Sequence, residues 1–549
     1  MQRLHNGPSR LAPSTLTTLQ GSHADEVLAA PGADFLVQGL GGNDTITSLF
    51  NGTALYGDDG NDSLTTQLIV DPAPTSPFNA VVEQVGGTGN DTLSAYVEVS
   101  SDEGDVTSDI VQFGGDEDDV ITAFASLTGT LGDLTASNFI SGGSGNDLID
   151  AVAEADGAPS SSYLYNSVAG GDGDDTITAL ADSDFGGISS TALNDVMGGS
   201  GNDVITATAI GESNSPDNVT NFVFGQQGND YIVASVHTNS NSSSPVGYNL
   251  VDGGSGDDTL LASQSTGSNN VTDVTNEMIG GLGNDDITAD IVASGEMSAF
   301  GGNYLDGEHG NDTLTANNEV VASTEAEAVN SLSGGRGNDV LTAWASASLF
   351  GGETGAVFGH NFLDGGGEDD ILEATIAEGT IGLSELYGQK GNDVLSAFGG
   401  SNNLLDGGRG SDILNGSMSD DELVGGRGND LLIGSGGDDL FEGGQGRDTF
   451  IFDVTQDEGI ETLQDFGYFD DRLQFNGIED MGDPGLVDDF DLIASFVDAG
   501  PGGDVAVTLD SGTILVFAGL GTGLIDSFAD LVSNAGVQLT VGEIPVPFA

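Results

Sequence analysis

The chain contains no cysteine. That excludes disulfide bridges and thiolate metal sites, so outside the cell its stability would have to come from something else. Basic residues are nearly as scarce. Against 88 Asp and Glu stand 8 Lys and Arg, giving a formal net charge of -80 over 549 residues. From Leu11 to Gly335 there is neither Lys nor Arg, so salt bridges cannot neutralise that stretch and the counter-charge must come from solution. The same imbalance excludes a nucleic-acid partner. No apolar run approaches the ~18 residues of a membrane span. The N-terminal MQRLHNGPSRLAPSTLTTLQ has no continuous apolar core, which argues against a cleavable signal peptide. Aromatic residues make up 6% of the chain, and few aromatics with high charge favour disorder. Opposing this, 37% of residues are hydrophobic and are placed periodically. Together these features predict a chain that is disordered without divalent cation and folded with it, ligand binding supplying folding free energy.

What is present is a phrase, Gly-Gly-x-Gly-(Asn/Asp)-Asp-x-(Ile/Leu), seen in Gly142–Ile149, Gly170–Ile177, Gly198–Ile205, Gly253–Leu260 and Gly425–Leu432. Its last Asp falls at Asp44, Asp62, Asp91, Asp119, Asp147, Asp175, Asp203, Asp230, Asp258, Asp285, Asp312, Asp339, Asp370, Asp393 and Asp412. Between Asp62 and Asp339 every step is 27 to 29 residues; after Asp412 it drops to 9, at Asp421, Asp430, Asp439 and Asp448. A fixed period over most of a chain predicts a solenoid with one coil per repeat.

Columns beside this Asp support the prediction. Two residues on stands Ile or Leu, as in Leu93, Ile121, Ile149 and Ile177, and four on stands Ala in every coil from Ala95 to Ala397. Alternate strand positions face the same way, so this is a strand with one packed side, and the Ala column implies a narrow interior. Nine residues before the Asp stands asparagine: Asn138, Asn166, Asn194, Asn221, Asn249, Asn276, Asn303, Asn330 and Asn361. These share the parity of the aliphatic column two residues later, so they point inward and stack as a ladder; a surface-facing row is the alternative if a bulge intervenes. Thr three residues after the Asp, as in Thr122, Thr178 and Thr206, faces outward. Such a row suits a soluble strand, and an ice-binding surface is a lesser alternative. Variable stretches such as Asn239–Pro245 and Ser213–Asn218 read as loops or a third side of each coil.

The phrase itself suits calcium. Glycines allow positive backbone angles and a close approach of carbonyls, while Asp adds a hard anionic oxygen. Calcium accepts six to eight oxygens in flexible geometry; magnesium demands a tighter octahedron. Softer metals would need His or Cys, and His5, His23, His237, His309 and His360 share no spacing. The candidate metal ligands are therefore the phrase aspartates named above, Asp44 through Asp448.

The nonapeptide run GGRGSDILNGSMSDDELVGGRGNDLLIGSGGDDLFEGGQGRDTFIF, Gly407–Phe452, resembles the RTX (repeats-in-toxin) family of calcium-binding β-roll proteins. The resemblance extends over roughly Gly21 to Phe452. It implies that the aspartates ligate Ca2+ with turn carbonyls completing each site. Departures are the wide coils, and Leu40, Gln226 and Gln389 in place of the second glycine. ETLQDFGYFDDRLQF, Glu461–Phe475, is similar to the segment following the β-roll in exported members of that family, which implies type I secretion from an uncleaved C-terminal region. The tail otherwise shows strands at Gly503–Leu509 and Thr513–Phe517 and a helix at Ile525–Asn534.

The expected architecture is all-β: a right-handed parallel β-solenoid of wide coils passing into a nonapeptide β-roll. Its expected divisions are a disordered segment 1–20, wide coils 21–406, the β-roll 407–452 and a β-rich capping and secretion domain 453–549. No zinc-binding His-Glu-x-x-His and no Gly-x-Ser-x-Gly elbow is present, so the expectation is not an enzyme. The leading function is a secreted, calcium-folded structural or interaction protein: a surface-layer, matrix or adhesin-like rod. Its candidate partners are calcium, cell-surface polysaccharide, further copies in a lattice, and the secretion machinery. The alternative is an extracellular polysaccharide-active enzyme, since glycoside chemistry needs only two carboxylates.

Overall fold

In a computed structural model of the chain, the residues described are 16–71, 77–102, 104–157, 160–185, 189–212, 217–240, 245–352, 355–453, 459–467, 471–476, 493–498, 503–509, 511–520 and 538–541. Among them there is no α-helix. Strand follows strand, and through the repeats each pairs in parallel with the strand two places on, which is the connectivity of a parallel β-solenoid. The helix expected at Ile525–Asn534 lies outside the described residues.

The chain forms two compact units. One comprises Met1–Leu305 with Val320–Ala326 and Leu349–Gly355; the other comprises Asp306–Glu319, Glu327–Ser348 and Ala356–Ala549.

In the first unit each coil is two strands and two turns. Asp133–Ser144, for example, belongs to one sheet, and the turn at Gly145–Asp147 leads into Leu148–Gly157 of the other. Register is fixed by side-chain parity. Ile121, Ile149, Ile177 and Ile205 pair in one line and Ala123, Ala151, Ala179 and Ala207 in the next, all buried. Slipping one strand by a residue would expose its entire packed set. Each buried Ile is worth roughly 1.5–3 kcal/mol.

Among the described residues there is no third side. Val204–Glu212 and Asp217–Gln227 extend the two strands up to the stretch read as a loop or third side at Ser213–Asn218, of which residues 213–216, like 241–244 in Asn239–Pro245, lie outside the described residues. Thr17–Gln20, expected within a disordered segment, forms a strand paired with Phe35–Gln38.

The asparagines stack inside, fully buried. In the first unit Asn138 Nδ2 donates to Asn166 Oδ1 at 2.8 Å, and the relay continues through Asn194, Asn221, Asn249 and Asn276 to Asn303 at 2.8–2.9 Å. The other amide hydrogen goes to the opposite sheet, as from Asn166 to Leu180 O at 2.8 Å. Every polar atom that this column takes into the core from Asn166 to Asn276 is thereby matched, as a buried amide requires.

In the second unit the coils taper. The step from one phrase Asp to the next falls from 31 residues to 23, 19 and then 18. Strands shorten to three residues, as in Leu404–Asp406 and Ile413–Asn415. This is the narrow roll, with a phrase on both edges. Beyond it the core becomes aromatic: Phe441, Phe450, Phe452, Phe466, Phe475 and Phe517 are fully buried, with ring contacts at 5.1–6.1 Å. Ile514–Phe517 pairs in parallel with Ile460–Leu463, and Val505–Leu509 then turns antiparallel beside it. That change of direction ends the run of parallel pairing in this sheet.

Candidate metal centre

Each phrase aspartate stands at the mouth of the turn that joins the two sheets, and all are buried. In the first unit Asp44, Asp62, Asp91, Asp119, Asp147, Asp175, Asp203, Asp230, Asp258 and Asp285 make one column. Each N–H donates to Oδ1 of the next: Asp91 to Asp119 at 2.7 Å, Asp119 to Asp147 at 2.8 Å, Asp147 to Asp175 at 2.7 Å. In the second unit Asp312, Asp339, Asp370, Asp393, Asp412, Asp430 and Asp448 form the corresponding column with bonds of 2.8–2.9 Å. Asp421 and Asp439 lie on the opposite edge of the roll, where Asp421 N donates to Asp439 Oδ1 at 2.8 Å.

Oδ1 is thus used by the protein. Oδ2 is not: in Asp62, Asp91, Asp119, Asp147, Asp175, Asp203, Asp230, Asp258, Asp339, Asp370, Asp393, Asp412, Asp430 and Asp448 it is buried without a donor. It lies over the first glycine of its own phrase. A Cβ on Gly86 would sit 2.3 Å from Asp91 Oδ2 and 2.5 Å from the carbonyl oxygen of Gly114 in the next coil. The same holds at Gly114, with Asp119 Oδ2 at 2.2 Å and Gly142 O at 2.5 Å. A buried carboxylate oxygen and a buried carbonyl oxygen therefore share one small space, and both are acceptors. A cation, a proton or a bridging donor is needed to reconcile them, and a cation answers the negative charge as well.

Burial accordingly raises these carboxyls, and neighbouring carboxylates raise them further. Asp91 and Asp370 are pushed up to about 8, and Asp119, Asp175, Asp203, Asp258, Asp393, Asp430 and Asp448 to about 7. The N–H donated to Oδ1 opposes the shift without cancelling it.

Among the described residues no three His, Asp or Glu side chains converge on one point. An ion here would rest on one or two carboxylates and on backbone carbonyls, a donor set of hard oxygens that fits calcium and excludes soft metals. Where the second glycine is missing, Leu40, Gln226 and Gln389 adopt its positive φ, at 83°, 82° and 71°, so the turn shape is kept at those positions.

Asp421 differs. Its Oδ1 accepts from the backbone and side-chain nitrogens of Asn403 at 3.0 and 2.8 Å, and its Oδ2 accepts from Ser417 N at 2.5 Å. Protein donors already satisfy this carboxylate.

Four features escaped the sequence reading. Glu26 starts the column: its N–H bonds Asp44 Oδ1 at 2.8 Å, and its carboxylate sits over Gly21. Asp471 ends the second unit's column, accepting from Asp448 N at 3.1 Å. Asp465 caps the last roll turn by accepting from Gly443 N at 2.9 Å and Gly444 N at 2.7 Å. Finally, the residue before each phrase Asp builds an exposed ladder of opposite sense, as in Asn146 N to Asp118 Oδ1 and Asp174 N to Asn146 Oδ1, both 2.8 Å. The degenerate phrase GSHADEVL concealed Glu26, and Asp465 and Asp471 belong to no phrase.

A family model described as the RTX calcium-binding nonapeptide repeat, in four copies, matches residues 134–156, 166–185, 193–209, 247–264, 327–347, 378–414, 399–432 and 415–450. No curated protein sequence matches the chain. Among solved structures, the extracellular lipase LipA from Serratia marcescens is similar at 18% identity over 48% of this chain and 40% of its own, with a TM-score of 0.14. The chain thus spans less than half the length of that lipase, and a score so low implies neither a shared fold nor a shared activity.

Proposed function

We propose that this chain, which carries RTX calcium-binding nonapeptide repeats, is a secreted structural or adhesive protein whose solenoid folds on meeting extracellular calcium. The observation that carries the reading is the column of buried Asp Oδ2 atoms set against glycine carbonyl oxygens. Asp62, Asp91, Asp119, Asp147, Asp175, Asp203, Asp230 and Asp258 would hold ions in the first unit, and Asp339, Asp370, Asp393, Asp412, Asp430 and Asp448 in the second. The remaining phrase aspartates, Asp44, Asp285, Asp312 and Asp439, belong to the same scheme. Asp421 is the weakest ligand because its carboxylate is already saturated.

Bound calcium would supply the positive charge that -80 of formal charge lacks. Among the described residues no Lys or Arg lies within 4 Å of a carboxylate to do so. Where calcium is scarce the same repulsion keeps the chain unfolded, a state suited to passage through a secretion channel with residues 453–549 as signal. Outside, the solenoid presents regular outer sheet faces to a partner such as cell-surface polysaccharide or a further copy.

The test is sedimentation and whole-cell binding of the purified chain with calcium and with chelator. Calcium-dependent self-association or cell attachment supports the reading. A monomer that attaches to nothing and degrades a polysaccharide would replace it with the enzymatic one.

A further inference from the structure

The amide ladder inside the first unit reverses polarity at one step. Asn138 Nδ2 donates forward to Asn166 Oδ1 at 2.8 Å. Gln112 does the opposite: its Nε2 donates back to Gln84 Oε1, in the preceding coil, at 2.7 Å. The second amide hydrogen pins each orientation, since Gln112 gives it to Thr122 O at 3.1 Å and Asn138 gives it to Val152 O at 2.9 Å. Turning either amide over would press its oxygen against a carbonyl oxygen. With both nitrogens facing away, Gln112 Oε1 and Asn138 Oδ1 are turned toward the same step between coils from its two sides. Both residues are fully buried and neither oxygen has a donor.

Register brings them near. Gln112 pairs with Ile140 and Asn138 with Ile110, so the two amides are diagonal neighbours on adjacent strands, positions about 7–8 Å apart. On the facing sheet Ala123 follows Thr122 and Ala151 and Ala153 flank Val152, all three buried small side chains. Ser108 Oγ is also buried without a partner, and its strand position is diagonal to Asn138 on the other side.

We infer that one structural water molecule is built into this step, donating a hydrogen to Gln112 Oε1 and the other to Asn138 Oδ1. Two orphan acceptors in a polar pocket call for a ligand with two donors and no charge, which describes water. A cation would exchange its hydration shell for neutral oxygens alone inside an apolar coil, a poor trade. The water splices two ladders of opposite sense, glutamine before it and asparagine after it, so that the core stays satisfied across the join.

The test is a high-resolution crystal structure of the calcium-loaded full chain beside that of Ile110→Asn. Ile110 stands in the asparagine column, so the introduced amide can donate directly to Asn138 Oδ1. In the wild type a single density peak should lie about 2.8 Å from both oxygens; in Ile110→Asn it should be gone. The calcium midpoint of folding should stay within about twofold for Ile110→Asn and rise well beyond that for Val196→Asn, which introduces an amide between Val168 and Val223 with no orphan acceptor to meet. Two results would overturn the inference: no wild-type peak, with the amides either facing as described or bonded directly to each other, or a peak with the short contacts and anomalous signal of a metal ion. Should Ile110→Asn not fold, the wild-type density decides alone.

Discussion

Asp91 donates its backbone N–H to Asp119 Oδ1 at 2.7 Å, while Asp119 Oδ2 is buried with no donor of its own. One carboxylate thus does two jobs. One oxygen ties a coil to the preceding one, and the other is left without a donor, the place the proposed reading gives to an ion.

Separating those jobs is possible at Asp147. Asp147→Asn keeps an oxygen for the Asp119 N–H but removes the charge, so calorimetry should count fewer bound calcium ions, with a modest loss of stability in saturating calcium. Asp147→Ala also removes the rung and should lower stability by a further ~1–2 kcal/mol. Equal ion counts for Asp147→Asn and the wild type would contradict the ligand role.

The asparagine ladder predicts a cost independent of calcium. Asn221→Ala orphans the Asn194 amide hydrogen, Asn249 Oδ1 and Ser235 O together. Leaving such groups buried costs about 1–3 kcal/mol each, so thermal unfolding in saturating calcium should show a loss of several kcal/mol. A loss under about 0.5 kcal/mol, the scale of a neutral surface change, would mean the ladder is ornamental.

Glycine is required by space at Gly114, where a Cβ would meet Asp119 Oδ2 at 2.2 Å, and not at Gly367, where nothing lies within 4 Å. Gly114→Ala should therefore destabilise by ~1–3 kcal/mol and weaken calcium binding at that turn. Gly367→Ala should stay within about 0.5 kcal/mol of wild type. Chemical denaturation of both variants in calcium makes the comparison; similar losses would sink the explanation.

Protons should substitute for calcium in part. Burial pushes Asp91 and Asp370 up to about 8 and several others to about 7, whereas unfolded aspartates titrate near 3.9. The folded state therefore binds more protons between those limits. Its stability is fully present below about pH 4 and is lost as pH rises through 6 to 8. In chelator, far-UV circular dichroism should show β-structure gained as pH is lowered from 8 to 5. Structure gained in the other direction would contradict the burial of these groups.

The fold was legible wherever parity and period both spoke. Ile149, Ala151 and Asn166 each stand in a column whose spacing fixes which way it faces, and each is buried as read. The number of sides to a coil was not legible, because Ser, Asn and Pro near Ser213–Asn218 mark a turn without saying how far strands extend beside it. At the candidate metal centre the phrase located the carboxylates but could not distinguish Asp421 from Asp430. That difference arises from Asn403 and Ser417, which come together with Asp421 only when the coils stack.

The central claim is that calcium completes the fold. Its most direct test is a calcium titration of the chelated chain at pH 8, followed by far-UV circular dichroism, with magnesium as the control. A cooperative transition from coil to β-structure with calcium alone is predicted. Full β-structure already present in chelator at that pH would show that the asparagine and aliphatic columns suffice, and the account of folding after export would fail.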